Sequence, residues 1–320
     1  MKVELKVELR NCPENYIIDA NFNHSMIKQV LKQVLKQLTG HQFIAITDRG
    51  NSAIEAAVKG KKVLIPEEGG WLSYQKILGV VEVKCVDAKI DLNDLKEKLS
   101  ANKFNAFLYQ QPGGYFAEQD AEEIYKICKN NNCQVIIDVS GCLGTELCQG
   151  KYADIMVGSF GKWKLVEARV GGFISCKNEE MPKKIRPPQA NMRRETKFSW
   201  IPEALPLRTP AEKADFNKLK AAEFIDEDSL KLIEEKLAGL KERINFLLKK
   251  RKKVLKDLKD LDIVHPNDFG FVVVIKFTTE EEKEKIINYC GNHGLEWTEC
   301  PRYIRLNKPA ISIEIKRLQN

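Results

Sequence analysis

The sequence predicts an α/β protein: a mainly parallel sheet sandwiched by helices, followed by a small α+β C-terminal domain. Two observations carry this prediction. Between residues 43 and 176, short apolar segments such as FIAIT, KVLIP, FNAFLYQ and QVIIDVS alternate with helical ones such as AEEIYKICKNN. Strands that are apolar throughout, rather than at every second position, are those covered on both faces. After Cys176 the alternation stops. Residues 179–215 hold much of the proline (Pro182, Pro187, Pro188, Pro202, Pro206, Pro210) and no clean periodicity. The chain therefore divides into a large domain over residues 1–225, which includes 179–215 as an irregular crossing segment, and a small domain over 226–320.

Taken in order, Met1 to Leu9 repeats with period two (Val3, Leu5, Val7, Leu9), which predicts a half-exposed strand. In HSMIKQVLKQVLKQL, Ile27, Val30, Leu31, Val34, Leu35 and Leu38 share one helical face, and Gly40 closes the helix. FIAIT reads as a strand, NSAIEAAV as the start of a helix, KVLIP as a strand and WLSYQKIL as a short helix. VEVKCV reads as one strand, followed by the helix DLNDLKEKL with Asp91 as its cap. FNAFLYQ, QVIIDVS, ADIMVGS and GGFISC complete the strands of the large domain, with AEEIYKICKNN as the helix between the first two. Residues 228–262 read as one long, Lys-rich amphipathic helix. FGFVVVIKF, EEEKEKIINYCGNHG, YIRLN and AISIEIKRL then read as strand, helix, strand and strand.

Composition excludes several classes. With 43% hydrophobic and 30% charged residues over 320, disorder is excluded as the main state. The longest apolar run, Phe271 to Ile275, is of strand length and far short of a membrane span. The N-terminal MKVELKVELR alternates charged and aliphatic residues, unlike a signal or transit peptide, so a cytoplasmic location is expected. Nine cysteines in such a chain read as reduced core residues, and the odd number argues against a closed disulfide framework. The net charge of +7 is mild, and KKRKK at 249–253 lies within a helix interleaved with acidic residues, the pattern of a solvated face. There is no Gly-Lys-Ser/Thr ending of a P-loop, no GxGxxG after a strand, and no GxSxG. The cysteines and the four histidines lack the close pairing of zinc ligands.

Ligands of open α/β sheets bind beyond the carboxyl ends of the strands. At those ends stand Asp48-Arg49-Gly50-Asn51-Ser52, Glu67-Glu68-Gly69-Gly70-Trp71, Gln111-Pro112-Gly113-Gly114-Tyr115, Asp138, and Ser159-Phe160-Gly161-Lys162-Trp163-Lys164. The inventory holds a small-residue helix N-terminus suited to a phosphate, an aromatic able to stack on a planar ring, a carboxylate, a hydroxyl and a lysine. Together these describe a site for pyridoxal phosphate, with the lysine forming the Schiff base and the Asp keeping the pyridine nitrogen protonated. Taken singly, each has a structural reading: Asp138 as a strand-end cap, Trp71 as core, Gly50-Asn51-Ser52 as a turn with an N-cap, Lys164 as a solvated loop lysine. Their ordered combination favours the cofactor.

Five segments, RGNSAIEAAV, LIPEEGGWLSY, QQPGGYFAE, VIIDVSGCLGT and GSFGKWKLVEARVGGFI, run in order from about residue 40 to 176. In them the sequence resembles the fold-type I pyridoxal-phosphate enzymes, the aspartate aminotransferase superfamily, and is most similar to the DegT/DnrJ type. The resemblance implies that Gly50, Asn51 and Ser52 bind the cofactor phosphate, that Trp71 stacks on the ring and that Gln111 contacts the ring hydroxyl. It further implies that Asp138 partners the pyridinium, that Ser159 contacts the phosphate and that Lys164 is the imine lysine. The family spacing Ser-Phe-x-x-x-Lys selects Lys164 over the competing Lys162. Two departures stand out. Where the DegT type has Gln or His three residues after the Asp, this chain has Gly141, and the Asn-rich segment that reaches a neighbouring subunit's phosphate is not recognisable in residues 190–225. In relatives an arginine of the small domain binds the substrate carboxylate through its planar fork; Arg302 and Arg305 are the candidates, and a surface strand arginine is the equal alternative.

What the resemblance implies is a homodimeric aminotransferase acting on a small-molecule amino donor and a carbonyl acceptor. Alternatives within the same cofactor class are a lyase, a decarboxylase or a transferase acting on aminoacyl-tRNA, the last prompted by the mild basic charge. The alternative of another class is a catalytically inactive fold-type I protein serving binding or assembly, prompted by Gly141.

Overall fold

The computed structural model describes residues 24–101, 103–177 and 225–319. The strand expected over Met1 to Leu9 and the crossing segment 179–215 lie outside the described residues.

Helix α1 (His24–Thr39) presents the expected apolar face, with Ile27, Leu31 and Leu35 fully buried. Seven strands form the central sheet: β1 (Phe43–Thr47), β2 (Val63–Pro66), β3 (Val81–Val83), β6 (Ala106–Gln110), β7 (Gln134–Asp138), β8 (Ile155–Ser159) and β9 (Gly172–Cys176). Their spatial order is β1-β9-β8-β7-β6-β2-β3. The pairs β3/β2, β2/β6, β6/β7 and β7/β8 are parallel, while β9 runs antiparallel to both β8 and β1. Side chains of a strand alternate between faces, and here both faces are covered. Phe107 and Tyr109 enter one core with α1, α3 (Leu92–Ser100) and α4 (Ala121–Asn130). Ala106 and Leu108 enter the other, with Ala53, Ile54 and Ala57 of α2 (Gly50–Val58). The uniformly apolar strands of the sequence are the consequence. Asp91 caps α3 as expected, accepting from the N–H groups of Asn93 and Asp94.

The C-terminal part builds a second, four-stranded antiparallel sheet in the order β10-β11-β13-β12, from β10 (Asp262–Ile263), β11 (Val273–Lys276), β12 (Trp297–Cys300) and β13 (Ala310–Ile313). Helix α7 (Glu280–Asn292) packs on β13 and opens with a capping box, in which Thr279 and Glu282 satisfy each other's backbone N–H groups.

Four local expectations are corrected. WLSYQKIL holds only a single 3-10 turn, Tyr74–Lys76, because the Tyr74 side chain is drawn fully into the core. VEVKCV is two strands: β3 stays in the large sheet. Beyond it β4 (Cys85–Val86) and β5 (Lys89–Ile90) make a hairpin whose turn residues Asp87 and Ala88 adopt φ of 53° and 66°. The long helix over 228–262 is two, α5 (Glu227–Ala238) and α6 (Leu240–Asp257), broken at Gly239, and its last position, Asp262, belongs to β10. YIRLN is a loop, and the strand lies just before it as β12, ended by Pro301, which has no N–H for a ladder. Helix α5 packs against α1, so the chain returns to the large sheet's helical layer before building the second sheet.

Candidate active site

The parallel strands β2, β6, β7 and β8 all end on one rim of the sheet, and a cavity opens there. Its walls include Gly50 and Asn51 of α2, Trp71, Asp138 at the end of β7, Ser159 at the end of β8, and Lys164. Gly50 and Lys164, 114 residues apart in sequence, meet because parallel strands share their polarity.

Asp138 forms the apolar strand's terminus and is only 5% exposed. A buried carboxylate needs donors, and it has them: the Tyr74 hydroxyl donates to Oδ2 at 3.0 Å and the Ser140 N–H to Oδ1 at 2.9 Å. Burial and the adjacent Asp138 push the Tyr74 phenol well above its ordinary value, so Tyr74 stays a donor. The Ser140 hydroxyl in turn accepts from the Ser159 N–H at 3.0 Å, tying β7 to β8 at the rim.

The start of α2 is pressed against β8. A Cβ on Gly50 would stand 2.5 Å from the Ser159 Cβ, so no larger residue fits there without movement. The Ser159 hydroxyl accepts from the Gly161 N–H at 3.1 Å and remains beside the first turn of α2. Unpaired N–H groups of a helix's first turn and a nearby hydroxyl make an anion-binding corner. Trp71 is anchored by its indole N–H, which donates to Asn51 Oδ1 at 2.9 Å.

Lys164 Nζ lies 4.7 Å from the centre of the Trp71 ring and donates to the Tyr115 hydroxyl at 2.6 Å. Lys162, the competitor, lies over Trp163 with Nζ 4.2 Å from its ring and does not line the cavity. The geometry therefore brings Gly50, Asn51, Trp71, Asp138, Ser159 and Lys164 together.

Other candidates fall elsewhere. Ser52 is buried within the first turn of α2 and does not line the cavity. Gln111 is also buried outside the cavity wall. Its amide is spent on the backbone of Gln119, accepting from that N–H at 3.0 Å and donating to that carbonyl at 3.2 Å, so it locks the loop after β6 instead. Arg305 is 2% exposed, and its guanidinium is consumed within the small domain. It grips both oxygens of Glu314 at 2.9 and 2.8 Å and donates to the Ser312 hydroxyl and the Ile304 carbonyl. It has no face left for a substrate carboxylate. Arg302 is half-buried in the loop before Arg305 and does not line the cavity.

Sequence reasoning missed three groups. Tyr74 lay in a stretch read as helix, and Tyr115 closed the strand-end segment Gln111 to Tyr115 without any role marked for its hydroxyl. Lys316 looked like one of many lysines, yet it is buried, with Nζ 4.7 Å from the centre of the Tyr115 ring and 3.6 Å from Glu314 Oε2. Burial, only partly offset by Glu314, holds its ammonium well below the usual lysine value, with Arg305, Lys164 and Arg317 adding like-charge repulsion.

The cavity fits pyridoxal phosphate by its own chemistry: a buried acid at one strand end, an aromatic wall, a small-residue helix start beside a hydroxyl, and one amine. Among solved structures, the chain is similar to 3-amino-5-hydroxybenzoic acid synthase, with 14% identity, a TM-score of 0.64, and coverage of 95% of this chain and 94% of that one. It is likewise similar to PseC of Helicobacter pylori, an aminotransferase involved in the biosynthesis of pseudoaminic acid, at 15% identity and TM-score 0.64, covering 90% and 85%. The serine palmitoyltransferase of S. paucimobilis, solved with bound PLP–myriocin, matches at 13% identity and TM-score 0.60, covering 93% and 73%. These likenesses establish the fold. A search of curated protein sequences found no significant match.

The family model that matches more than half of the chain makes it a pyridoxal-phosphate-dependent transferase. The chain belongs to the DegT/DnrJ/EryC1/StrS aminotransferase family, whose model matches residues 76–263. Residues 240–320 also match the family model described as the MJ1341 family C-terminal domain.

Proposed function

We propose that this enzyme moves an amino group between a small-molecule donor and a carbonyl acceptor, with Lys164 as the lysine that carries the cofactor and moves the proton. The observation that carries the reading is that Lys164 and Asp138 wall one cavity at the carboxyl ends of the parallel strands. Pyridoxal phosphate, when bound there, supplies an electron sink for the amino substrate. Asp138, held by Tyr74 and Ser140, would face the ring nitrogen and stabilise the proton on it. Gly50, Asn51 and Ser159 would hold its phosphate, and Trp71, tethered to Asn51, would cover its ring. Lys164 takes a proton from the substrate carbon and returns it, as a general base and acid.

The same reading includes a homodimer in the cytoplasm. It assigns no substrate role to Arg302 or Arg305. Neither a tRNA substrate nor an inactive scaffold is favoured by any feature of the cavity.

The test is chemical. Borohydride reduction of the protein loaded with pyridoxal phosphate, followed by peptide mapping, is expected to place the label on Lys164; a label on Lys162 would overturn the assignment. Lys164→Ala protein should lose both the label and the visible absorption band. Amino acids and amino sugars that bleach that band, with recovery on adding a keto compound, would identify the donor and acceptor classes and separate transamination from elimination or decarboxylation. Light scattering at assay concentration tests the dimer.

A further inference from the structure

Position 141, where the resemblance asks for Gln or His, is glycine, and the structure shows what stands in that space. A Cβ at 141 would lie 3.1 Å from Cδ1 and 3.2 Å from Cε1 of Tyr115, so the tyrosine ring lies against the face of Gly141. Tyr115 is 4% exposed and has a φ of 68°, in the left-handed region that side chains other than glycine seldom adopt. Its backbone is held there from both sides. Its N–H donates to the Pro112 carbonyl at 3.0 Å, and its carbonyl accepts from the Phe271 N–H at 2.8 Å. Phe271 belongs to the C-terminal part of the chain, which thereby sets the ring's position beside Lys164, a residue of the cavity wall. A strained residue persists only where its surroundings over-determine it, and such residues concentrate at functional sites.

The ring is also the meeting point of the cations. Lys164 Nζ is 5.3 Å and Lys316 Nζ 4.7 Å from its centre, distances at which a π-face attracts an ammonium. Only Lys164 reaches the hydroxyl, at 2.6 Å. Among the described residues Lys164 has no carboxylate partner, so the phenol oxygen is the acceptor that orients its nitrogen.

We propose that Tyr115 is a positioning residue for Lys164: its hydroxyl holds Nζ at the cavity wall, and the glycine at 141 exists to admit its ring. The proposal rests on the reading of Lys164 as the reactive amine. A long flexible side chain must return to one place after each exchange with the substrate amine, and a fixed hydroxyl within hydrogen-bond reach lowers the number of rotamers it searches.

The test is Tyr115→Phe, which keeps the ring over Gly141 and removes the hydroxyl alone. In the cofactor-free protein, acetylation by acetic anhydride at one fixed pH is read by peptide mass spectrometry, with Lys162 as the internal reference. The Lys164/Lys162 labelling ratio is expected to change at least threefold in the variant, because the nitrogen no longer donates to a fixed oxygen. In the loaded enzyme kcat is expected to fall about tenfold while KM stays within about twofold. An unchanged labelling ratio overturns the proposal whatever the turnover does. Should the variant not fold, the reciprocal measurement decides: nitration of Tyr115 by tetranitromethane is expected to change at least threefold in Lys164→Met protein, and an unchanged rate overturns the proposal. Absence of a borohydride label on Lys164 would instead defeat the functional reading, while the labelling ratio still reports on the contact.

Discussion

Asp138, which we propose faces the cofactor's ring nitrogen, shows how burial and hydrogen-bond donors combine at a single residue. It ends a strand of otherwise apolar residues, so its carboxylate is taken out of water and then stabilised by two donors, Tyr74 and the Ser140 N–H. Asp138→Asn keeps the shape and removes the charge. Turnover is expected to fall by about two to three orders of magnitude while the protein stays folded, measured by steady-state kinetics beside circular dichroism. Glu314 is the opposite case, a buried carboxylate that serves structure. Burial would raise its pKa, but Arg305, Lys316 and Arg317 outweigh burial and hold it far below the usual carboxylate range. Both Glu314 and Arg305 are nearly fully buried, so removing the acid strands the guanidinium. Glu314→Gln is expected to cost about 3–5 kcal/mol in urea unfolding. The same pair explains why Arg305, attractive as a carboxylate ligand in sequence, is unavailable for that work.

At the scale of elements, the site depends on how closely α2 approaches the sheet. Gly50 meets Ser159, and a Cβ on Gly172 would lie 2.7 Å from the Gly50 N, so β8, β9 and the helix start converge with no room for side chains. Gly50→Ala must push the helix away from Ser159. It is expected to cost about 1–3 kcal/mol of stability and to weaken pyridoxal phosphate uptake, followed by equilibrium dialysis. Helix α7 offers a contrast without functional cost. Its capping box is on the surface, and Thr279→Ala is expected to lose about 1 kcal/mol in thermal or chemical unfolding with turnover unchanged.

For the whole molecule, pH dependence follows from buried charges. Glu314 releases its proton more readily in the folded chain than in the unfolded one. Its contribution is therefore complete above the unfolded carboxylate value and is lost as pH falls through that value toward the folded one. Lys316 is lowered by burial, so the unfolded chain binds a proton that the folded chain resists. Its penalty is relieved as pH rises from the folded value toward the ordinary lysine range, and stability rises with it. His41 follows the same sign near neutrality, its pKa lowered chiefly by burial although it bonds to Ser175 and the Gly150 carbonyl. Urea midpoints measured across pH are expected to drop on the acid side in wild type and to drop less in Glu314→Gln.

Some of this was legible in the residues alone. Apolar runs buried on both faces announced a parallel sheet, and strand ends collect on one rim whatever the details, so Asp138, Ser159, Trp71, Gly50, Asn51 and Lys164 could be named from their places in the chain. Periodicity and strand polarity are local properties, and sequence carries them directly. Only the tertiary structure decided which polar groups were already spent. Gln111 is bound to Gln119 and Arg305 to Glu314, while Tyr74, Tyr115 and Lys316 are buried against the cavity's acid and amine. Those outcomes depend on partners from 8 to 201 residues away. A hydrogen bond satisfied by a distant neighbour leaves no trace in the composition or spacing of the segment that makes it.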